Sequence, residues 1–169
     1  IASNNLTNLS GIVDIYASNK CFAALKYDNS LYVWGSKENS SNRIINNISS
    51  QVSKLTSGVK EVFVNGKVLI ALKFDGTVVT IGNSNNGGDI SNNDSQYKLY
   101  GGTATDIADV FLNDKFAIGL KKDNSCVYWG DISRNSILFN NDISTFIDIK
   151  NIIYSKDVMI GIKFDGKIV

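Results

Sequence analysis

The chain has 169 residues, a net charge of +1, 43% hydrophobic and 20% charged residues. These are the proportions of a globular protein that can bury a core, and near-neutrality removes the bulk field that would draw it to nucleic acid or an anionic membrane. Histidine and proline are both absent, so the commonest general base and metal ligand is missing and no strand loses a ladder donor to a pyrrolidine ring.

Residues 1–10, Ile1 to Ser10, are polar and rich in Asn and Ser. They align with the tail of a later repeat, Gln51 to Ser57, and lack the apolar stretch of a secretory signal. The first β-prone run is Ile15-Tyr16-Ala17, closed by the polar turn Ser18-Asn19-Lys20. Leu25-Lys26-Tyr27-Asp28-Asn29-Ser30-Leu31-Tyr32-Val33-Trp34-Gly35 follows, two β runs joined by an Asp-Asn turn. A variable polar stretch (36–57) completes this unit.

The second unit repeats the order. Val62-Phe63-Val64 ends at Asn65-Gly66-Lys67, and Val68-Leu69-Ile70-Ala71-Leu72-Lys73-Phe74 leads through Asp75-Gly76 to Thr77-Val78-Val79-Thr80-Ile81-Gly82. Its central run begins almost uniformly apolar, as in a strand covered on both faces. The third unit holds Val110-Phe111-Leu112, the turn Asn113-Asp114-Lys115 and Leu120-Lys121-Lys122-Asp123-Asn124-Ser125-Cys126-Val127-Tyr128-Trp129-Gly130. The fourth holds Ile152-Ile153-Tyr154, the turn Ser155-Lys156-Asp157 and Ile162-Lys163-Phe164-Asp165-Gly166-Lys167-Ile168-Val169.

From Leu25 to Leu72, Leu120 and Ile162 the steps are 47, 48 and 42 residues. A period of that size marks one supersecondary unit stacked repeatedly. Two β runs joined by Asp-Gly or Asp-Asn predict hairpins with two-residue type I′ turns, which need positive φ at both central residues. Each unit thus supplies three antiparallel strands in meander order. A short fourth strand is expected in the variable tail, near Gln51-Val52 or Tyr97-Lys98-Leu99-Tyr100. Four antiparallel strands per unit make a propeller blade, so the fold class is all-β, a β-propeller of repeated four-stranded blades. The expected units are 11–57, 58–105, 106–147 and a truncated 148–169, all within one propeller segment.

The stretch Gly58-Val59…Ala71-Leu72-Lys73-Phe74-Asp75-Gly76-Thr77-Val78-Val79…Gly82-Asn83, with the pairs Trp34-Gly35 and Trp129-Gly130, resembles the repeat of the regulator of chromosome condensation family. The resemblance covers 11–169. It implies a β-propeller that works as a protein-interaction platform. In that family one branch exchanges nucleotide on a small nuclear GTPase, and a bacterial branch with shorter repeats inhibits β-lactamases. The chain departs from the eukaryotic pattern. Cys21, Val68, Phe116 and Val158 stand where family members often carry histidine, and the glycine-rich element survives only as Asn86-Gly87-Gly88-Asp89. The repeats are also short, so the chain resembles the prokaryotic kind and nucleotide exchange does not carry over to it.

The fourth unit reaches Val169 inside the strand that aligns with Leu31-Tyr32 and Val78-Val79. It is read as part of a longer propeller. The alternative is that residues 1–10 complete the last blade, in a ring of about four blades or an assembly of several chains.

Candidate binding residues are the repeated lysines. Lys26, Lys73, Lys121 and Lys163 precede the Asp turns, and Lys20, Lys67 and Lys115 occupy the other turn, where Asp157 breaks the series. A ring of such lysines would suit an acidic partner or phosphate. Against that, Asp28, Asp75, Asp123 and Asp165 lie two residues on and offset the charge, and a solvated strand end needs no ligand. Trp34 and Trp129 align with Ile81, which points to packing, and Asn86-Gly87-Gly88-Asp89 reads as a plain turn. Cys21 and Cys126 align with apolar residues and are expected as buried free thiols. The Asn-x-Ser/Thr sequons at Asn5, Asn8, Asn39, Asn47 and Asn93 are what an Asn- and Ser-rich chain produces by chance.

With no histidine there is no Ser-His or Cys-His pair, and no Walker loop or zinc spacing is present. The reading is of a non-enzymatic interaction module without cofactor or metal, binding another macromolecule, above all a protein. Hairpin loops or the variable segments 36–57, 83–105 and 131–147 would set specificity. The alternative is a structural or surface protein, such as an adhesin, fibre or capsid-associated segment, that uses the propeller as a building block. Its partners would then be other copies of itself or the remainder of a longer chain.

Overall fold

The computed structural model describes residues 9–18, 21–35, 51–91, 99–131, 145–156 and 158–169. These form a succession of small antiparallel sheets, one per repeat. Blade 1 is β1 (Ile12–Ala17), β2 (Cys21–Lys26) and β3 (Leu31–Gly35), and blade 2 is β4 (Val59–Val64), β5 (Val68–Lys73) and β6 (Val78–Gly82). Blade 3 is β7 (Ile107–Leu112), β8 (Phe116–Lys121) and β9 (Cys126–Gly130), and blade 4 holds β10 (Ile149–Tyr154) and β11 (Met159–Lys163), with a bridge from Ile162 to Ile168. The first strands of blades 1–3 pack side by side at the hub.

The uniformly apolar β5 shows why sheets stack. Successive side chains of a strand point to opposite faces. Leu69 and Ala71 enter the core shared with blade 1, while Val68, Ile70 and Leu72 enter the core shared with blade 3. β8 does the same one step along, with Ala117 facing blade 2 and Phe116 and Ile118 facing blade 4. The core is therefore three seams between neighbouring sheets.

All four hairpins form, but their turn differs from the two-residue type I′ expected. Positive φ occurs only at Asn29 (59°), Gly76 (81°), Asn124 (65°) and Gly166 (84°), never at the Asp before it. Lys26 N–H donates to Ser30 O and Asn29 N–H to Lys26 O, closing a three-residue loop, and the other hairpins repeat both bonds. This is a type I turn followed by a left-handed residue, which also follows strand twist and asks only one residue for positive φ. The Asp keeps negative φ, and its Oδ1 accepts the backbone N–H two residues on. That donor is Ser30 at 3.0 Å, Thr77 at 2.9 Å, Ser125 at 2.9 Å and Lys167 at 3.0 Å.

The left-handed residue also ties blade to blade. Its carbonyl accepts from the first residue of the next blade's first strand: Val59 to Asn29 (2.9 Å), Ile107 to Gly76 (2.9 Å) and Ile149 to Asn124 (3.0 Å). At the opposite end of the strands, a Cβ on Gly130 (φ 108°) would lie 2.8 Å from Lys115 O, which explains the glycine after Trp129.

Among the described residues blades 1–3 have three strands each, and Gln51-Val52, one place where a fourth was expected, is not extended. Gln51 caps a short 3-10 helix, Val52–Leu55, whose Leu55 anchors the first seam. Tyr97 and Lys98 fall outside the described residues. Tyr100 makes a single two-bond bridge to Tyr128 and stacks on its ring at 5.1 Å, so it joins blade 3 and not the blade of its own repeat. The tail leaves blade 2 by a tight turn, Ser84–Asn86, and Asn86 Nδ2 crosses the seam to donate to Asp114 O.

Candidate interaction surface

The described lysines among the seven named from the sequence do not converge. Lys26, Lys73, Lys121 and Lys163 end β2, β5, β8 and β11, at the Asp hairpins. Lys67 and Lys115 precede β5 and β8 and so lie at the opposite end of the blades; Lys20 falls outside the described residues. A six-residue strand is about 20 Å long, so the two sets occupy opposite faces. At Lys67 and Lys115 the backbone closes the turn, each N–H donating to the Oδ1 of Asn65 (2.7 Å) or Asn113 (2.9 Å).

On the hairpin face Lys26 Nζ lies 3.6 Å from Asp28 Oδ2, and in blade 4 Lys167 Nζ lies 2.9 Å from Asp165 Oδ2. All four Asp carboxyls are held below the usual carboxylate value. The leading cause is the side-chain hydrogen bond from Ser30, Thr77, Ser125 or Lys167, followed by the backbone N–H of the same residue, with the neighbouring lysine adding a smaller pull. The face therefore interleaves lysines with aspartates.

Between lysine and aspartate stands the feature that the sequence reading passed over. Tyr27, Phe74 and Phe164 occupy the hairpin tips and are 78%, 62% and 62% exposed, with Lys122 at the same position in blade 3. The backbone beneath them is fixed. Tyr27 N–H donates to Gly11 O, Phe74 to Gly58 O, Lys122 to Asp106 O and Phe164 to Asp148 O, at 2.8–3.1 Å. Its signal was in plain view as Lys-aromatic-Asp, three times over. Beside the first tip an open groove of about 310 Å³ is lined by Leu9, Leu31, Tyr32 and Leu55 together with Lys26 and Ser30.

The remaining candidates are structural. Trp129 is fully buried, and its Nε1–H donates to Gly87 O at 3.0 Å. Asn86 Nδ2 donates to Asp114 O, also at 3.0 Å, so the Asn86-Gly87 turn clamps blade 2 onto blade 3. Trp34 is half-buried and stacks on Phe22 at 5.5 Å. Cys21 and Cys126 are buried free thiols; burial raises both, and Cys126, beside Asp123, is pushed up to about 12. The five sequons lie outside the described residues.

No family model matches the chain, and no curated protein matches it in sequence. Solved structures do. The yeast Prp20p of Saccharomyces cerevisiae, studied for binding to Gsp1p and histones, is similar with a TM-score of 0.58 and 13% identity, over 94% of this chain and 43% of its own. The same yeast RCC1 (Prp20) in complex with Kap60 gives a TM-score of 0.55 and 13% identity, over 94% and 42%. The CRINKLY WD40 ectodomain of the Arabidopsis thaliana receptor kinase ACR4 gives 0.56 and 18% identity, over 89% and 46%. The chain spans less than half the length of each. Its stacked antiparallel sheets have the fold of RCC1-like repeat propellers.

Proposed function

We propose that this chain is a non-catalytic protein-interaction module whose hairpin face engages a protein partner. The observation that carries the reading is the trio of exposed aromatic tips, Tyr27, Phe74 and Phe164, each flanked by a lysine and an aspartate. Aromatic side chains dominate protein interfaces because they bury a large area at low entropic cost. The interleaved charges cancel as a field but remain available as rim contacts that set orientation. That balance favours a protein over a nucleic acid, which calls for uncompensated cations. The lysines Lys26, Lys73, Lys121 and Lys163 contribute to this rim, while Lys20, Lys67 and Lys115, at the other turns, do not share it. A fourth strand for each blade, taken from the preceding repeat's tail as Tyr100 is, would hold the hairpins at fixed spacing. The propellers with this fold include one studied for binding to Gsp1p and histones and one bound to Kap60, which supports the class of function and not the partner.

The test is capture of proteins from the native source by wild type and by the triple variant Tyr27→Ala, Phe74→Ala, Phe164→Ala. The three tips are exposed, so the variant is expected to keep the wild-type thermal midpoint. Partner recovery is expected to fall roughly tenfold or more, as loss of even one interface anchor does. Undiminished capture would remove the hairpin face from the reading.

A further inference from the structure

We infer that the partner segment taken by the hairpin face is acidic at its centre, with an apolar residue over Phe74, a carboxylate on Lys122 and an apolar residue over Phe164. The inference rests on the reading of the aromatic tips as an interaction surface, and it makes Lys122 the specificity-determining residue of that surface.

The four hairpin tips are one repeat position, and their order along the blades is Tyr27, Phe74, Lys122, Phe164. In each blade the tip N–H is bonded to a carbonyl just before the first strand, Phe74 to Gly58 O at 3.0 Å and Lys122 to Asp106 O at 2.9 Å. The lysine side chain therefore leaves the face at the place where the neighbouring blades present a ring. Exposure here belongs to the hairpin itself. Phe74 has a blade packed on either side and is still 62% exposed, and Lys122, also between two blades, is exposed as well.

Lys122 differs from the other lysines in its charge contacts. Lys26 meets Asp28 and Lys167 meets Asp165, whereas among the described residues Lys122 forms no ion pair. The carboxylate of its own turn is engaged elsewhere. Asp123 Oδ1 accepts the Ser125 N–H at 2.9 Å and the Ser125 hydroxyl at 2.6 Å, and Lys121 is the lysine whose charge acts on it. Asp106 meets Lys122 through a backbone carbonyl. Asp106 and Asp123 thus offset Lys121 and Lys122 in net charge, and what the Lys122 ammonium lacks is a contact partner.

In water that ammonium is fully solvated. Covered by a protein between two aromatic anchors it loses hydration, and a buried charge without a partner is strongly unfavourable. The surface therefore selects a carboxylate at this point and rejects an apolar or basic group there. Spacing follows from the scaffold. Sheets stacked face to face lie about 10 Å apart, which sets a lower bound on the separation of successive tips. An extended segment advances about 3.3 Å per residue, so its apolar anchors fall about three or four positions before and after the acid.

The probe is a phage-displayed library of random dodecapeptides, each about 40 Å long when extended. It is selected on wild type, on Lys122→Glu and on the triple variant Tyr27→Ala, Phe74→Ala, Phe164→Ala. All the substituted side chains are exposed, so each protein is expected to keep the wild-type thermal midpoint. Wild type is expected to enrich peptides with Asp or Glu flanked on both sides by apolar residues, and Lys122→Glu to enrich Lys or Arg at the same central place. A synthetic peptide of the wild-type class is expected to bind Lys122→Glu roughly tenfold or more weakly, because like charges then face each other. Acid-free peptides enriched by wild type but not by the triple variant overturn this inference and leave the aromatic face standing. So does an acidic peptide that binds Lys122→Glu undiminished. Peptides retained equally by the triple variant sink the inference and the reading beneath it, and a wild type that enriches nothing sinks the inference.

Discussion

Trp129 and Trp34 hold the same place in two repeats and live in different surroundings. Trp129 lies in the seam between blades 2 and 3, fully buried, with its indole N–H on Gly87 O. Trp34 lies on the outer face of blade 1, half-buried, with Phe22 as its stacking partner. The repeat directs both side chains the same way, but only a neighbouring blade makes one of them core. A propeller position thus has no fixed energetic value; it takes its value from the sheet that faces it.

The largest expected effect breaks this comparison at its centre. Trp129→Ala leaves a cavity in a packed seam and takes the donor from the Gly87 carbonyl, at a cost of about 3–5 kcal/mol. Trp34→Ala forfeits ring contacts with Phe22 and Tyr32, each worth about 0.5–1.5 kcal/mol. Urea unfolding of both variants reads the difference. Equal losses would mean that the outer face of blade 1 is as enclosed as the seam.

A second pair sharpens the comparison at the turns. Asn65 accepts from Lys67 and Val68 and sends its Nδ2 across the seam to Asn113 O. Its counterpart Ser18 accepts from Cys21 N–H at 3.2 Å and meets Cys21 Sγ at 3.0 Å, both within blade 1. Asn65→Ala strands three bonding groups and is expected to cost about 1–3 kcal/mol. Ser18→Ala is expected to cost less, about 0.5–1.5 kcal/mol, because its hydroxyl bonds only partly buried groups of Cys21 and carries no Nδ2 across the seam. Thermal midpoints should fall in that order.

The smallest effect is one of pH. Cys126 packs in the third seam, and burial, with Asp123 adding to it, raises its thiol from 9.0 to about 12. The folded state therefore holds the proton more tightly than the unfolded state. This contribution is fully present below pH 9 and is lost as pH rises from there through 12. Tyr16, raised to about 12 by burial and by Asp14, acts in the same direction above pH 10. Cys126→Ala is expected to lose less stability than wild type between pH 8 and pH 11 in urea titrations. A steeper loss in the variant would reverse the assignment.

Much of this architecture is legible in the residues. Val68-Leu69-Ile70-Ala71-Leu72 announces a strand with two covered faces, and Asp-Gly or Asp-Asn at four equivalent places announces the hairpins. The turn type was not legible, because Asp and Asn suit both a two-residue turn and a three-residue turn with one left-handed position. The tail strand was not legible either. Tyr100 pairs with Tyr128, and nothing in a run of four residues says which sheet edge it will meet. The lysines read as two repeated sets at different turns, and strand direction places the described members of those sets at opposite ends of the blades.

The sequence by itself determined the local and periodic features: the strands, their alternation, the hairpins and the repeat that stacks them. These follow from the two-residue period of a strand and from the residues that tolerate a left-handed turn, both set by neighbours along the chain. Only the tertiary structure decided which of several equivalent side chains is core, which is an exposed tip and which lies on an end face. Burial is a property of what stands opposite, and the facing blade comes from residues nearly fifty positions away.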